Sequence, residues 1–259
     1  MIESLNIGAS GMHAQQLHID VIANNLANSN TMGYKKSRVE FEDLMYREMV
    51  RAGGLIASPA LERPMGTGAA IASTNKIFTT GDVKKTERSL DVAIQGDGFF
   101  EVLLPDNSYA YTRSGALQID PDGYLTTADG YQLSGLIQVP GDTEELLIGR
   151  DGRVLAQVSG DSELVELGTI ELARFVSAAG LTPLGDNLYI PTDNSGDALY
   201  AIPGEDGAGT LNQGFLEASN VNLVEELTNL ILAQRAYEIN SKVVQASDDL
   251  LGIINNLRR

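Results

Sequence analysis

The last 40 residues constrain the fold most. Leu232, Ala236, Ile239, Val243, Ala246, Leu250, Ile253 and Leu257 follow in steps of three and four, eight apolar residues of eight. An α-helix gathers such spacing onto one side. A second, interrupted seam of Leu223, Leu227, Leu230, Tyr237, Val244 and Leu251 runs along the same segment. Glu225 and Glu226 stand in the early turns, where acids favour the helix dipole. Ser219 or Asn220 is the expected N-cap.

The first residues carry the same pattern. Ile2, Leu5, Ala9, Met12, Gln16, Ile19, Ala23 and Leu26 keep the steps of three and four, and seven of these eight are apolar. Ile7, Ser10, Ala14, Leu17, Val21, Asn24 and Asn28 form a second seam. At about 100° per residue the two seams fall on nearly opposite sides of a helix. A surface helix of a lone globule carries one apolar stripe; two stripes suggest burial by more than one neighbour. The ends read as two helices of an ordinary α+β core or, more sharply, as a coiled-coil-like pair that assembles. The stretch "ANNLANSNTMGYKK", residues 23–36, bears on that choice. Asn is a mediocre helix former because its amide competes for backbone hydrogen bonds. On a lone globule Asn24, Asn25 and Asn28 would stand in water at a small cost to the helix; in a chain that assembles they would make polar contacts with a neighbouring subunit, and Asn30 and Gly33 are expected to end the helix.

Between the ends the sequence changes character. Residues 51–75 are small, aperiodic and Gly- and Pro-bearing, the signature of a linker or extended loop. From about residue 76 there are short strand-like runs at 90–104, 109–119, 123–139, 153–158 and 188–192, separated by "PDN", "DPDG", "ADG" and "GRDG". This is a β-rich region with tight turns. The expected fold is α+β: N- and C-terminal helices making a coiled-coil-like inner domain, and a mainly antiparallel β-rich central domain. The expected divisions are 1–34 for the N-terminal helix, 35–75 for the bracing loop, 76–218 for the β domain and 219–259 for the C-terminal helix.

Charge follows the same division. The formal net charge is −17, which argues against nucleic acid as a partner. Residues 1–50 hold six acids and four bases and residues 220–259 hold five and four, so 24 of the 35 acids and 10 of the 18 bases lie in between. Nearly neutral ends can pack against copies of themselves, while the acidic middle reads as a solvated outer domain. No stretch is long and apolar enough to cross a membrane, and "MIESLNIGASGMHAQQ" lacks the basic and apolar regions of a cleaved signal peptide.

Catalytic chemistry finds little footing. There is no cysteine for a disulfide or thiolate metal site. His13 and His18 are five residues apart, where a zinc pair on one helix face wants four, so both read as helix-surface residues. Gly96-Asp97-Gly98 lacks the third glycine of a dinucleotide loop and reads as a β-turn. Asp120 and Asp122 begin like a calcium loop, but the glycine comes early and Tyr131 stands where the bidentate Glu belongs. A tight turn with Pro121 at its first central position is the simpler reading. No cofactor and no metal are expected. The 35 acids allow accidental carboxylate pairs, without the aromatic platform of a sugar-cleaving enzyme. A monomeric binding module built on the β domain would not need helices at both ends.

Residues 20–46, "DVIANNLANSNTMGYKKSRVEFEDLMY", resemble the N-terminal signature of bacterial flagellar axial proteins, the rod and hook family. Residues 90–133 resemble that family's central β segment, and residues 213–251 its C-terminal motif. The length and the segment 41–54 point to the distal part of the rod, with a proximal rod or hook-type position as the alternative. The resemblance implies a structural part: subunits stack helically into a hollow drive shaft, with end helices inside and the β domain outward. It also implies export through the flagellar type III apparatus without a cleaved signal, and a place in the basal body across the periplasm. The implied partners are copies of the same chain, proximal rod proteins, the hook protein, surrounding ring proteins and the rod-assembly cap. The residues expected at subunit contacts are Leu5, Met12, Ile19, Ala23, Asn24, Asn25, Leu26, Asn28, Gly33 and Tyr34 near the start. Near the end they are Leu232, Ala236, Tyr237, Ile239, Asn240, Val243, Leu250 and Ile253.

Overall fold

Both ends form long helices, α1 over Ile2–Ala27 and α2 over Leu223–Leu257. The structure, a computed structural model, describes residues 2–44, 47–48, 64–65, 68–159 and 163–257. It divides into two compact units. One holds Met1–Ala27, Ser37–Asn75 and Asn222–Arg259; the other holds Asn28–Lys36 and Lys76–Val221. The class is α+β, with an antiparallel β-rich centre between two helices.

In the helical unit α1 packs against α2, and the strand Ser37–Asp43 lies on α1. That strand pairs with Ala69–Lys76, so residues 69–75, expected as linker, belong to a strand. The hydrogen bonds come from a partner some 30 residues earlier, which no local window of small residues reveals. Arg47–Glu48 and Pro64–Met65 make a short antiparallel pair. Much of the expected bracing loop (residues 45–46, 49–63 and 66–67) lies outside the described residues.

Two helix boundaries differ from expectation. α1 ends at Ala27, not at Asn30 or Gly33. Gly33 does adopt a left-handed φ of +72°, but beyond the helix end, in the β unit, where a Cβ would also lie 2.9 Å from the Ser114 nitrogen. At α2 the cap is Asn222, whose Oδ1 accepts from the Val224 amide at 3.1 Å and the Glu225 amide at 3.4 Å. Asn220 is already used elsewhere, bonding Lys36 and Ile77.

The β unit is built on a seven-stranded antiparallel sheet. Its order is Thr182–Gly185, Leu188–Ile190, Tyr109–Thr112, Phe100–Leu103, Gln132–Leu133, Leu125–Thr127 and Leu117–Ile119. Thr143–Ile148, Arg153–Val158 and Leu164–Thr169 form a three-stranded meander. Alternating apolar residues supply the main core, including Val92, Ile94, Phe100, Leu117, Leu172 and Leu211. A second cluster is aromatic, with Phe78, Phe99, Tyr111, Phe175 and Tyr189 meeting edge to face. Gly96 and Gly98, at φ +116° and +140°, separate the strands Val92–Gln95 and Phe100–Leu103. Asp120 closes its turn by accepting the Gly123 amide on its carbonyl at 3.0 Å, while its Oδ1 accepts from the Asp122 and Tyr124 amides. That carboxylate serves the turn backbone.

Candidate assembly surface

The face by which α1 meets α2 lies between the two seams of its sequence and shares only Ala14 with the second. Gly8, Ala14, Ile22 and Asn25 are its buried positions, with Gly11 and His18 between them half-buried. The two seams flank this face. Gly8 and Gly11 set the closeness of the helices: a Cβ on Gly8 would stand 2.7 Å from Val244 Cγ2, and one on Gly11 2.8 Å from Asn240 Nδ2. A helix interior loses roughly 0.5–1 kcal/mol for each Gly in place of Ala, so two of them three residues apart mark a close approach. On α2 the facing stripe runs through buried Glu226, Ala233 and Ser247, with Ala236, Asn240 and Val244 half-buried.

Asn25, read from sequence as a contact to a neighbour, is spent inside its own chain. It is 2% exposed. Its Oδ1 accepts from the Ser37 amide at 2.8 Å, and its Nδ2 donates to the Ser37 carbonyl at 2.8 Å and to Glu226 Oε2 at 3.2 Å. One amide thus joins the end of α1 to the following strand and to the first turn of α2. His18, read as a surface residue, sits edge-on to Phe41 at 5.4 Å. Burial holds its imidazole below the ordinary value of 6.5, against the opposing pull of the Glu226 carboxylate.

The other expected contact residues fall into three groups. Leu5, Met12, Ile19 and Leu26 are half-buried beside the helix pair. Asn28, Gly33 and Tyr34 belong to the β unit, where Tyr34 is buried and Lys76 Nζ lies 4.3 Å from its ring centre. Ala23 and Asn24 face outward on α1, and the long α2 seam faces outward along nearly its whole length. Leu232 is 62% exposed, Ile239 61%, Val243 45%, Leu250 51% and Ile253 55%. Leu223, Val224, Leu227, Ile231, Tyr237 and Ile254 are further exposed apolar residues of α2. Roughly 25 cal/mol per Å² favours covering such surface, and contiguous patches of this kind mark interaction sites. Among the described residues no group of three or more His, Asp or Glu side chains is placed to hold a metal ion.

The fold thus leaves the strongest apolar stripe of the chain exposed along α2. Comparison with known proteins gives the class: residues 5–35 match the flagella basal body rod protein family. Residues 93–156 match the D1 domain of the flagellar hook protein FlgE/F/G family, and residues 212–257 the C-terminal part of the flagellar basal body rod FlgEFG family. The chain belongs to the flagellar basal-body rod protein family. It is 47% identical to the flagellar basal-body rod protein FlgG of Borreliella burgdorferi, over 100% of both chains. It is 42% identical to that of Caulobacter vibrioides, over 99% of this chain and 100% of the relative, and 40% identical to that of Bacillus subtilis, over 100% of both. The flagellar hook-basal body complex protein FlhP of Bacillus subtilis is 28% identical over the full length of both chains.

Proposed function

We propose that the chain is a structural, non-catalytic subunit of the distal rod of the flagellar basal body. It polymerises helically into a hollow shaft that carries torque to the hook and passes exported subunits. The observation that carries this reading is the outward α2 seam, on a chain that matches FlgG relatives from end to end. In the assembly the helical unit is the coiled-coil-like inner wall and the acidic β unit faces the surrounding rings. Leu232, Ile239, Val243, Leu250 and Ile253 of one copy pack on the exposed side of another copy's α1, around Ala9, Ala23 and Asn24. Such a contact is heterologous and does not close, so it grows a filament. The nearest partners along the axis are proximal rod proteins and the hook protein, with the rod cap and the type III export apparatus acting during growth.

Several features support this reading. An apolar stripe left bare on a single copy matches a subunit passed outward before it assembles, since isolated helices need packing to persist. Ordering residues costs about 1–2 kcal/mol each, which neighbours at a growing end offset. The test is complementation: a strain lacking its own distal rod subunit is supplied with this chain, carrying a tag in the β unit. Motile cells and tag labelling confined to the rod of isolated basal bodies are expected. Labelling in the hook or at the inner end of the rod would move the chain to the alternative position.

A further inference from the structure

One carboxylate stands where three separate stretches of the β unit converge. Glu217, at the end of the strand Phe215–Glu217, is 1% exposed. Its Oε1 accepts from Lys35 Nζ at 2.6 Å and from the Gly81 amide at 2.8 Å. Its Oε2 accepts from Arg113 Nε at 3.2 Å, and its backbone carbonyl accepts from the Gly33 amide at 2.8 Å. Lys35 and Arg113 are as buried as their partner, at 0% and 3% exposed. Lys35 also donates to the Thr79 carbonyl at 2.7 Å, and Arg113 Nη1 to the carbonyls of Gly96 and Gly98 at 2.8 and 2.6 Å. Beside this cluster Asn220 accepts from the Lys36 amide and donates to the Ile77 carbonyl, both at 2.8 Å, while the Ile77 amide donates to the Lys36 carbonyl at 2.9 Å.

The stretches so joined are 28–36, 76–82 and 215–221. They are the ones through which the chain enters and leaves the β unit, at 27/28, 36/37, 75/76 and 221/222. A core needs no buried ions, and apolar side chains of like volume often serve stability as well or better. A charged cluster placed on every exit therefore calls for a positional reason. The charges also say which substitution separates position from folding. Two cations share one anion, so removing Lys35 leaves Glu217 neutralised by Arg113 and still held by the Gly81 amide. Removing Glu217 leaves two buried cations facing each other. Burial already lowers the proton affinity of Lys35, with Glu217 opposing that effect.

We propose that Lys35 and Glu217 form the latch of a load-bearing joint, which makes the entering and leaving stretches one stiff body with the β sheet. The role of the joint in carrying torque rests on the rod-subunit reading; the latch itself does not. The test uses the full chain with Lys35→Met beside the unaltered chain. Amide hydrogen exchange on the purified protein is expected to quicken at least about tenfold in residues 28–36 and 76–82 and to stay unchanged in Val92–Gln95 and Phe100–Leu103. In cells, Lys35→Met rods are expected to assemble in normal number, with swimming lost selectively in viscous medium. Unchanged exchange in 28–36 would overturn the latch. So would loss of the whole β fold, because the cluster would then be a folding requirement rather than a local joint. Faster exchange with normal swimming under load would overturn the joint. Failure of the unaltered chain to enter rods would overturn the rod reading and leave the exchange result standing.

Discussion

Asn25 uses its amide within one subunit, so its loss acts on the subunit before it acts on any assembly. In Asn25→Ala the Ser37 backbone groups and the Glu226 carboxylate lose a buried partner, at a cost of about 1–3 kcal/mol. Denaturant titration of the monomer followed by helical circular dichroism reads this directly; an unchanged midpoint would count against the pairing. His18 sets a pH dependence. Unfolded, it takes up a proton near 6.5; folded, its pKa is depressed by burial. Stability is therefore present above pH 6.5 and is lost as pH falls from there through the folded value. A melting temperature of the helical unit that falls between about pH 7 and pH 5, with a smaller fall in His18→Gln, is the expected outcome. These roles were hidden because a run of asparagines names no partner: Ser37 and Glu226 lie 12 and 201 positions away.

At the scale of elements, both helices were legible from apolar spacing, but only about half the strands of the β unit were legible from turn residues; Thr143–Ile148, Leu164–Thr169 and Thr210–Gln213 were among those missed. Which face each helix turns inward was not. Counting apolar residues selects Leu232, Ile239 and Leu250, whereas the contact inside one chain is made by Gly8, Gly11, Ala233 and Asn240. Closest approach favours small side chains, and those carry almost no periodic apolar signal. The two faces therefore respond differently to substitution. Gly8→Leu forces the helices apart at Val244 and is expected to destabilise the monomer by about 1–3 kcal/mol. Ile239→Asp with Leu250→Asp changes exposed positions. It is expected to leave monomer stability within about 0.5 kcal/mol and to abolish motility and rod assembly. Thermal melts beside swimming assays separate the two classes; a double Asp variant that swims normally would show the seam to be mere surface.

At the scale of the whole molecule, the two units divide the work. The β unit closes its own core and cinches its entering and leaving chain on Glu217. The helical unit closes only half of itself, through glycines and amides, and leaves its strongest apolar stripe bare. Under the proposed function, neighbouring copies cover that stripe. The central claim is that this stripe is covered when subunits assemble, and the absence of cysteine makes it open to one clean measurement. Ile239→Cys supplies a single thiol on the seam, and Val176→Cys, 83% exposed in the β unit, supplies a reference. Maleimide labelling is compared between the free subunit and isolated basal bodies. Rapid labelling of both thiols in the free subunit, with Ile239→Cys protected and Val176→Cys still reactive in basal bodies, is the predicted result. Equal labelling of Ile239→Cys in the two states would contradict the account.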